Sequence, residues 1–263
     1  MAALLLMKPS DPKSRFSSRV ENYVKYRPTY PRPLLDLFTR EFNFTGSWVV
    51  ADVGSGTGIS SKLFLDHGNT VFAIEPNRQM REAAESLLKG YPNFHSIDAS
   101  AEATTMPDKS MDLIIAAQAF HWFNIPAARP ELARILKPTG RAALVWNTRQ
   151  TDTTPFLGAY EDLLLKYATD YNTVRHEHVT DEVLASFFGT PDFGRATLSN
   201  AQQFDFEGLK GRLLSSSYSP LASDPRHAPM LEKLRELFDA HQQDGRVTFA
   251  YETEVFWSAL HAR

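Results

Sequence analysis

Five short segments with the pattern of strands, most of them apolar, recur along the first 150 residues, separated by amphipathic or polar segments. They cover residues 49–53, 70–74, 94–97, 113–117 and 141–146, and helices are predicted over 33–42, 60–68, 78–90 and 127–136. The predicted helices show the 3.6-residue apolar spacing, whereas the five strand-like segments are short enough to be buried strands. Because strands and helices alternate at this pace, the pattern predicts a parallel sheet with right-handed crossovers.

The pattern changes beyond Asn147, where a polar loop interrupts the alternation. Residues 156–168 and 180–188 have the spacing of amphipathic helices, and a longer helix is predicted from Asp224, with Pro225 at its first position, to near Gly245. Residues 196–206 and 246–255 alternate polar and apolar positions, which predicts two more strands. We expect the last strand to be antiparallel within an otherwise parallel sheet.

These elements predict one α/β domain with a doubly wound, Rossmann-like sheet of seven strands and a helical cap. The chain has 263 residues, is 43% hydrophobic and contains no cysteine, which excludes disulfides, thiol catalysis and cysteine-bound metal. The apolar opening at residues 2–7 is too short to span a membrane, and we expect a cytoplasmic protein. The predicted parts are a lid (1–32), a core (33–149), cap insertions (150–194 and 207–245) and closing strands (195–206 and 246–257).

The sequence DVGSGTG, residues 52–58, joins the first predicted strand to the helix that begins near Ile59. Glycines at this spacing let the backbone turn sharply and approach a ligand closely, because no Cβ intervenes. The first amides of the following helix would point at that ligand. A dinucleotide fingerprint would need a third glycine at position 59, which is isoleucine. A nicotinamide oxidoreductase is therefore disfavoured.

Two acids flank this turn in the predicted fold. Asp52 precedes the first glycine by two residues, and Glu75 closes the next strand. An anionic side chain at the first position would repel a pyrophosphate but attract an amino group, and a carboxylate at the second can bind both ribose hydroxyls of an adenosine. A ligand with adenosine at one end and an ammonium group at the other is S-adenosylmethionine.

DVGSGTG followed by AIEP resembles the first two motifs of class I S-adenosylmethionine-dependent methyltransferases. Residues 14 to about 150 resemble the small-molecule branch that includes trans-aconitate methyltransferases, through SAEATTMPDKSMDLIIAAQAFHWF and RPELARILKPTGRAALVWN. The resemblance implies cofactor contacts from Asp52, Gly54, Ser55, Gly56, Glu75, Pro76, Ser100, Ala101, Glu102 and Gln118. Ser100 stands where many relatives have Asp, Thr105 where Pro is usual and Thr139 where a second Gly is usual, and the first affects a hydrogen bond to adenine.

The segment SRFSSRVENYVKYRPTYP, residues 14–31, resembles the F-x-x-Y-x-x-R-P-x-Y-P entry that folds over cofactor and substrate in many small-molecule methyltransferases. Phe16, Tyr23 and Tyr26 have near-helical spacing ahead of two prolines. We expect Tyr26, Arg27 and Tyr30 at the lid, whereas Phe16 and Tyr23 either join them or pack the helix onto the domain.

Methyl transfer is an in-line displacement, so the protein mainly aligns the nucleophile at about 3 to 3.5 Å from the methyl group. His121 follows strand four and is the candidate catalytic base; alternatively, His121 and Trp122 shape the pocket. Substrate contacts are expected from Tyr26, Arg27, His121, Trp122 and Arg149. Further polar candidates, each also suited to a capping or solvated role, are Arg212, Ser215, Ser216, Ser217 and Tyr218.

The net charge and the sequence motifs limit the kinds of binding partner that we expect. The formal net charge of −3 argues against general nucleic-acid binding, although Lys8, Lys13, Arg15, Arg19, Lys25, Arg27 and Arg32 form a basic arm that either attracts an anion or is merely solvated. Enzymes that methylate base nitrogens carry an N-P-P-Y-like sequence after strand four, where this chain has QAFHW. His176 and His178 lack a third ligand nearby, so no metal is expected.

We therefore expect a methyltransferase that acts on a small molecule at an oxygen such as a carboxylate, as a monomer or homodimer, without a nucleic-acid or membrane partner. Two alternatives stay open from the sequence. One is a binding module that keeps S-adenosylmethionine but not turnover, and the other is a methyltransferase acting on RNA or protein.

Overall fold

The structure is a computed structural model that describes residues 25–169, 171, 179–216 and 218–260. The expectations for Phe16, Tyr23, His176, His178 and Ser217 lie outside these residues, as does the basic arm before Lys25. Across the described ranges, no helix has both the length and the apolar character needed to cross a membrane.

In the described residues, seven strands form one sheet with the order β3-β2-β1-β4-β5-β7-β6. The strands are β1 (Val49–Val53), β2 (Thr70–Ile74), β3 (Phe94–Ile97), β4 (Met111–Ala117), β5 (Leu136–Arg149), β6 (Gly194–Phe204) and β7 (Val247–Ser258). The neighbours from β3 through β5 pair in parallel, and β7 is antiparallel to both β5 and β6. The predicted fold class, including the antiparallel last strand, is confirmed.

The helices are α1 (Pro33–Phe42), α2 (Ile59–Asp66), α3 (Arg78–Leu88), α4 (Ile125–Ile135), α5 (Pro155–Tyr167), α6 (Asp181–Phe188), α7 (Phe206–Leu214) and α8 (His227–His241). Side-chain caps explain several of the starts, since Asn77 accepts hydrogen bonds from the amides of Gln79 and Met80 at the start of α3. The predicted start of α8 is wrong. Asp224 accepts from the amide of Arg226 in a turn, so the helix begins only at His227.

Three apolar clusters organise the described chain. One face of the sheet is covered by α4 and α6, and the other by α1 and α2. The third cluster joins α5, α7 and α8 to the ends of β6 and β7, and we call these three helices the cap. The helix α6, which the sequence pattern groups with the cap insertion, instead packs Phe187 against Phe120 in the core of the sheet.

Candidate active site

A cavity of about 530 Å³ opens beyond the carboxyl ends of β1, β2 and β4. The strand order reverses between β1 and β4, and ligands of doubly wound sheets bind at such reversals. The cavity is lined at one end by residues 54–57, Glu75, Pro76, Asn77, Ser100, Ala101 and Glu102, and at the other by Arg27, Tyr30, His121, Trp122, Asn147, Arg212 and Tyr218.

The glycine turn shapes the first end of the cavity. The amide of Gly54 donates to the carbonyl of Ile74 at 2.8 Å, which ties the turn to β2. Gly56 adopts a φ of 56°, and a Cβ placed on it would have no atom within 4 Å. The open space therefore lies directly against this backbone, where a bound nucleoside can approach it without a side chain intervening.

Glu75 is held rigidly beside the glycine turn. Its Oε2 accepts from the amide of Gly56 at 2.9 Å, and its Oε1 accepts from the amide of Asn77 at 2.8 Å. Each carboxylate oxygen can accept further hydrogen bonds. The side chain lines the cavity, so it is placed to receive the two hydroxyls of a ribose.

Asp52 does not line the cavity, and this corrects the expectation that it contacts the amino group of the cofactor. It is fully buried beneath the turn, where Oδ2 accepts from the hydroxyls of Ser60 at 2.7 Å and Ser61 at 2.6 Å. Its Oδ1 is buried and has no hydrogen-bond partner among the described residues. Burial raises the pKa of Asp52 to about 6. Because Ser60 lines the cavity, Asp52 orients that hydroxyl from behind.

Two further segments complete the cofactor end. Ser100, Ala101 and Glu102 line one wall, and Oε1 of Glu102 accepts from the amide of Asn124 at 2.9 Å. Gln118 lies at the end of β4 with a φ of 58°, and its Nε2 donates to the carbonyl of Asn147 at 2.8 Å. The structure thus brings the remaining predicted cofactor residues to one cavity, with Asp52 one layer below.

The opposite end of the cavity is covered by residues 25–31, which we call the strap. The carbonyl of Thr29 accepts from Nδ2 of Asn200 at 2.7 Å and from Nδ2 of Asn147 at 3.3 Å. The guanidinium of Arg27 lines the cavity and donates to the carbonyl of Ser215 at 3.2 Å. The strap therefore connects the ends of β5 and β6 to the end of α7.

The floor of this end comes from the turn after β4. His121 and Trp122 both line the cavity, and their ring centroids are 4.7 Å apart. Trp122 remains 42% exposed, so it forms the cavity rim. The position of His121 allows either role considered from the sequence, and its function as a base stays a prediction.

Arg212 supplies a buried positive charge to the cavity. The residue is only 6% exposed, yet it belongs to the cavity lining. Its Nε donates to the hydroxyl of Tyr251 at 3.2 Å, and its Nη1 donates to the hydroxyl of Ser216 at 3.1 Å. In the described part of the chain, Arg212 forms no salt bridge with a carboxylate, and Nη2 has no hydrogen-bond partner.

Two predicted substrate contacts lie elsewhere. Arg149 points into the cap, where its guanidinium forms a salt bridge with Glu161, donates to the hydroxyl of Tyr171 at 3.0 Å and lies 5.1 Å from the ring of Tyr160. Neither Arg149 nor Tyr26 lines the cavity. Tyr26 packs on α7 instead, because Gly211 leaves room there for its ring.

Arg212 and Tyr218, which were only two of the further polar candidates, line the cavity, and so does Asn147, which was not predicted. One signal for Arg212 was available, since it lies beside Leu213 and three residues after Leu209, on the apolar side of α7. An arginine at such a position is seldom solvated. The described ranges contain no group of three or more His, Asp and Glu side chains suited to a metal ion.

Comparison with known proteins fits this fold and this cavity, which together define a class I methyltransferase. Residues 51–144 match the family model described as a methyltransferase domain. An uncharacterized methyltransferase of Schizosaccharomyces pombe is 30% identical over 249 residues, covering 91% of this chain and 96% of that protein. The chain therefore belongs to the S-adenosylmethionine-dependent methyltransferase family.

Other relatives match over shorter spans. A second uncharacterized methyltransferase of S. pombe is 35% identical over 156 residues, which is 59% of each chain. One from Mycobacterium tuberculosis is 35% identical over 134 residues, 51% of this chain and 52% of that protein. The matches thus span half to three-fifths of these relatives. A putative type II methyltransferase structure from Anaeromyxobacter dehalogenans has a TM-score of 0.68 at 20% identity, covering 90% of this chain and 100% of that one, which shows the shared fold.

Proposed function

We propose that the protein transfers a methyl group from S-adenosylmethionine to a small-molecule acid, at an oxygen such as that of a carboxylate. The observation that carries the acidic substrate is Arg212, a buried cation that faces the cavity without a carboxylate partner among the described residues.

The cofactor end fits S-adenosylmethionine. Gly56 leaves open space against the backbone, and the fixed carboxylate of Glu75 adjoins it. The loop with Ser100, Ala101 and Glu102 offers the wall for an adenine, and Ser60 offers a hydroxyl backed by Asp52. When bound, the cofactor supplies an electrophilic methyl group on a sulfonium. These residues would hold its two ends and leave the methyl group directed at the substrate end.

The charge of Arg212 is costly unless a ligand satisfies it. A guanidinium stays protonated in proteins, and a buried charge without a counter-charge is strongly unfavourable. The hydroxyls of Tyr251 and Ser216 satisfy part of its hydrogen-bonding capacity but do not neutralise its charge. A planar carboxylate matches the geometry of a guanidinium. Arg27 adds a second guanidinium to the same lining.

A carboxylate substrate also suits the rest of the cavity. An ionised carboxylate is already a nucleophile, so these residues need only align it and exclude water. A relative from Brevibacillus brevis, 31% identical over 149 residues and 53% of each chain, is named malonyl-[acyl-carrier protein] O-methyltransferase. That name describes O-methylation in a related protein and supports the same atom type here.

A small substrate is favoured by the enclosure of the cavity. Its volume of about 530 Å³ lies in the range usual for small-molecule sites, and strap, sheet and cap residues all contribute to the lining. The net charge of −3 gives no general attraction to nucleic acid. We therefore propose a small-molecule substrate rather than RNA or protein.

The test is methyl transfer from S-adenosylmethionine labelled in the methyl group to a panel of carboxylic acids. A methyl ester releases volatile methanol in base, whereas N-methyl and C-methyl products do not. For an acid that is methylated, R212Q should raise KM by about 30-fold, since a hydrogen bond to a charged group is worth about 2 kcal/mol. The affinity for S-adenosylhomocysteine should be unchanged.

The matched control is R195Q, which removes an exposed arginine paired with Asp181 on the surface. It should leave KM and kcat as in the wild type. Base-stable labelled products, or an R212Q variant with the wild-type KM, would show that the acid assignment is wrong.

A further inference from the structure

We infer that Gln202 is a positioning residue that holds both arginines of the acid-binding end, Arg212 through Tyr251 and Arg27 through the main chain of the strap. The inference rests on the proposed function and adds a residue outside the cavity lining to it. Gln202 lies on β6, one of the two edge strands, and does not itself line the cavity.

The contacts of Gln202 reach in two directions. Its Oε1 accepts from the hydroxyl of Tyr251 at 3.1 Å, and that hydroxyl in turn accepts from Nε of Arg212 at 3.2 Å. Its Nε2 donates to the carbonyls of Tyr26 and Arg27, both at 3.4 Å. One side-chain amide therefore joins the cap arginine to the strap.

The sheet register explains why this is possible. Asn200 is paired with Tyr251 across β6 and β7, and Gln202 lies two residues further along β6. Residues two apart on a strand share a face, so Gln202 and Tyr251 are diagonal neighbours on the same side of the sheet. Asn200 on that face also binds the carbonyl of Thr29, so this part of β6 is where the strap is attached.

The hydrogen bonds allow only one direction of donation. An arginine can only donate, so the hydroxyl of Tyr251 accepts from Arg212 and gives its own proton to Oε1 of Gln202. The amide NH2 of Gln202 then faces the strap, where two carbonyls can only accept. Both ends of the Gln202 amide and the hydroxyl of Tyr251 thus have matching partners, which fixes the orientation of the amide.

The neutrality of Gln202 matters for the site. A glutamate at this position would place a negative charge beside Arg212, and that charge would compete with an acidic substrate. An amide fixes the direction of the guanidinium through Tyr251 but leaves its charge uncompensated. Gln202 thus orients the guanidinium of Arg212 without adding a counter-charge, and it fixes the main chain that carries Arg27.

The experiment compares Y251F, which breaks the branch to Arg212, with Q202L, which breaks both branches, in the enzyme saturated with cofactor. Each should raise KM for the methylated acid about 5- to 10-fold, in line with the loss of one hydrogen bond that orients Arg212 without touching the substrate, with kcat within twofold. Q202E should raise KM further than Q202L because it adds a counter-charge. A purely structural role would instead lower kcat and the affinity for S-adenosylhomocysteine together with the affinity for the acid.

The matched control is Q203L on the adjacent residue, whose side chain is exposed and forms no hydrogen bond among the described residues. It should leave KM and kcat unchanged. S-adenosylhomocysteine affinity should be the same in all four variants, because none of them touches the cofactor end.

A second readout needs no substrate. The 15Nε–1Hε resonance of Arg212, assigned by its absence in R212Q, should shift in Y251F and Q202L but not in Q203L when S-adenosylhomocysteine is bound. If the wild type methylates no acid, the proposed function fails while this resonance still decides the positioning role. An unmoved resonance in Q202L, or a wild-type KM in Q202L for an acid that is methylated, overturns the inference.

Discussion

Asp52 is a single residue whose ionisation should be visible in the stability of the whole protein. Burial raises its folded-state pKa from 3.8 to about 6. Between these values the folded protein binds more protons than the unfolded chain, so the contribution of Asp52 to unfolding free energy falls as pH rises through this window. The loss is complete by about pH 7 and amounts to about 3 kcal/mol over the whole range that starts below the unfolded-state pKa.

We predict that this fall in unfolding free energy with rising pH is absent in D52N. Urea unfolding without cofactor at several pH values should show wild-type stability falling by about 2.4 kcal/mol relative to D52N between pH 4 and pH 7. Parallel stability profiles for the two proteins would mean that Asp52 keeps an ordinary pKa. Above pH 6 the ionised carboxylate provides a negative potential beneath Ser60, which favours a cationic ligand group without touching it.

At the residue scale, the sequence does not reveal which arginines face the cavity. Arg149 follows Thr148 at the end of β5, and Arg212 follows Gly211 on the apolar side of α7, but neither position reveals whether the guanidinium meets a carboxylate. Arg149 ends β5 and meets Glu161 on α5, which leaves no charge for a ligand. Arg212 lies on the inner side of α7, where the described residues offer it hydroxyls but no acid. The difference depends on how the cap packs, which is a long-range property.

At the scale of an element, the turn between β1 and α2 requires glycine at two positions for different reasons. A Cβ on Gly58, where φ is 82°, would lie 2.6 Å from Cδ1 of Leu88 on α3. A Cβ on Gly56, where φ is 56°, would meet nothing within 4 Å and would occupy the cavity. Gly58 is therefore needed for the packing of α2 against α3, and Gly56 is needed to leave room for the ligand.

We predict that G56A mainly weakens cofactor binding and that G58A mainly lowers the stability of the fold. G56A should lose about 1–2 kcal/mol of unfolding free energy from backbone strain and bind S-adenosylhomocysteine at least about 10-fold more weakly by calorimetry. G58A should lose more stability because the side chain of Leu88 must move. Equal affinities for S-adenosylhomocysteine in G56A and the wild type would place the ligand away from this turn.

Element boundaries were predictable where the signal is local. The helix Pro33–Phe42 has the predicted limits, because Pro33 begins it and apolar residues lie at helical spacing. The helix α7 was not separated from the rest of the cap, since Gly208 and Gly211 weaken its helical signal and its partners are distant. Gly211 is needed where the ring of Tyr26 packs, a contact across 185 positions that no local pattern reveals.

For the whole molecule, the alternation of strands and helices predicted the sheet and placed the cofactor end at its carboxyl edge, because that relation follows from topology alone. The substrate end could not be predicted in the same way. It forms where the strap, β5, β6 and α7 converge, through contacts such as those of Thr29 with Asn147 and Asn200. These pairings join segments that the sequence separates widely.

Cofactor binding should therefore stabilise the entire domain through a few groups at one edge of the sheet. A ligand that binds only the folded state adds about 2.7 kcal/mol at 100 times its Kd, which for a domain of this size raises Tm by about 5–10 °C. We predict this shift for S-adenosylhomocysteine and none for NAD at the same concentration. In E75Q the shift should fall below about 2 °C, since one carboxylate oxygen becomes an NH2 that cannot accept from the amide of Gly56 or of Asn77, and the ribose acceptor is then misplaced. Differential scanning fluorimetry of both proteins measures it, and a full shift in E75Q would remove Glu75 from the cofactor site while leaving the fold assignment intact.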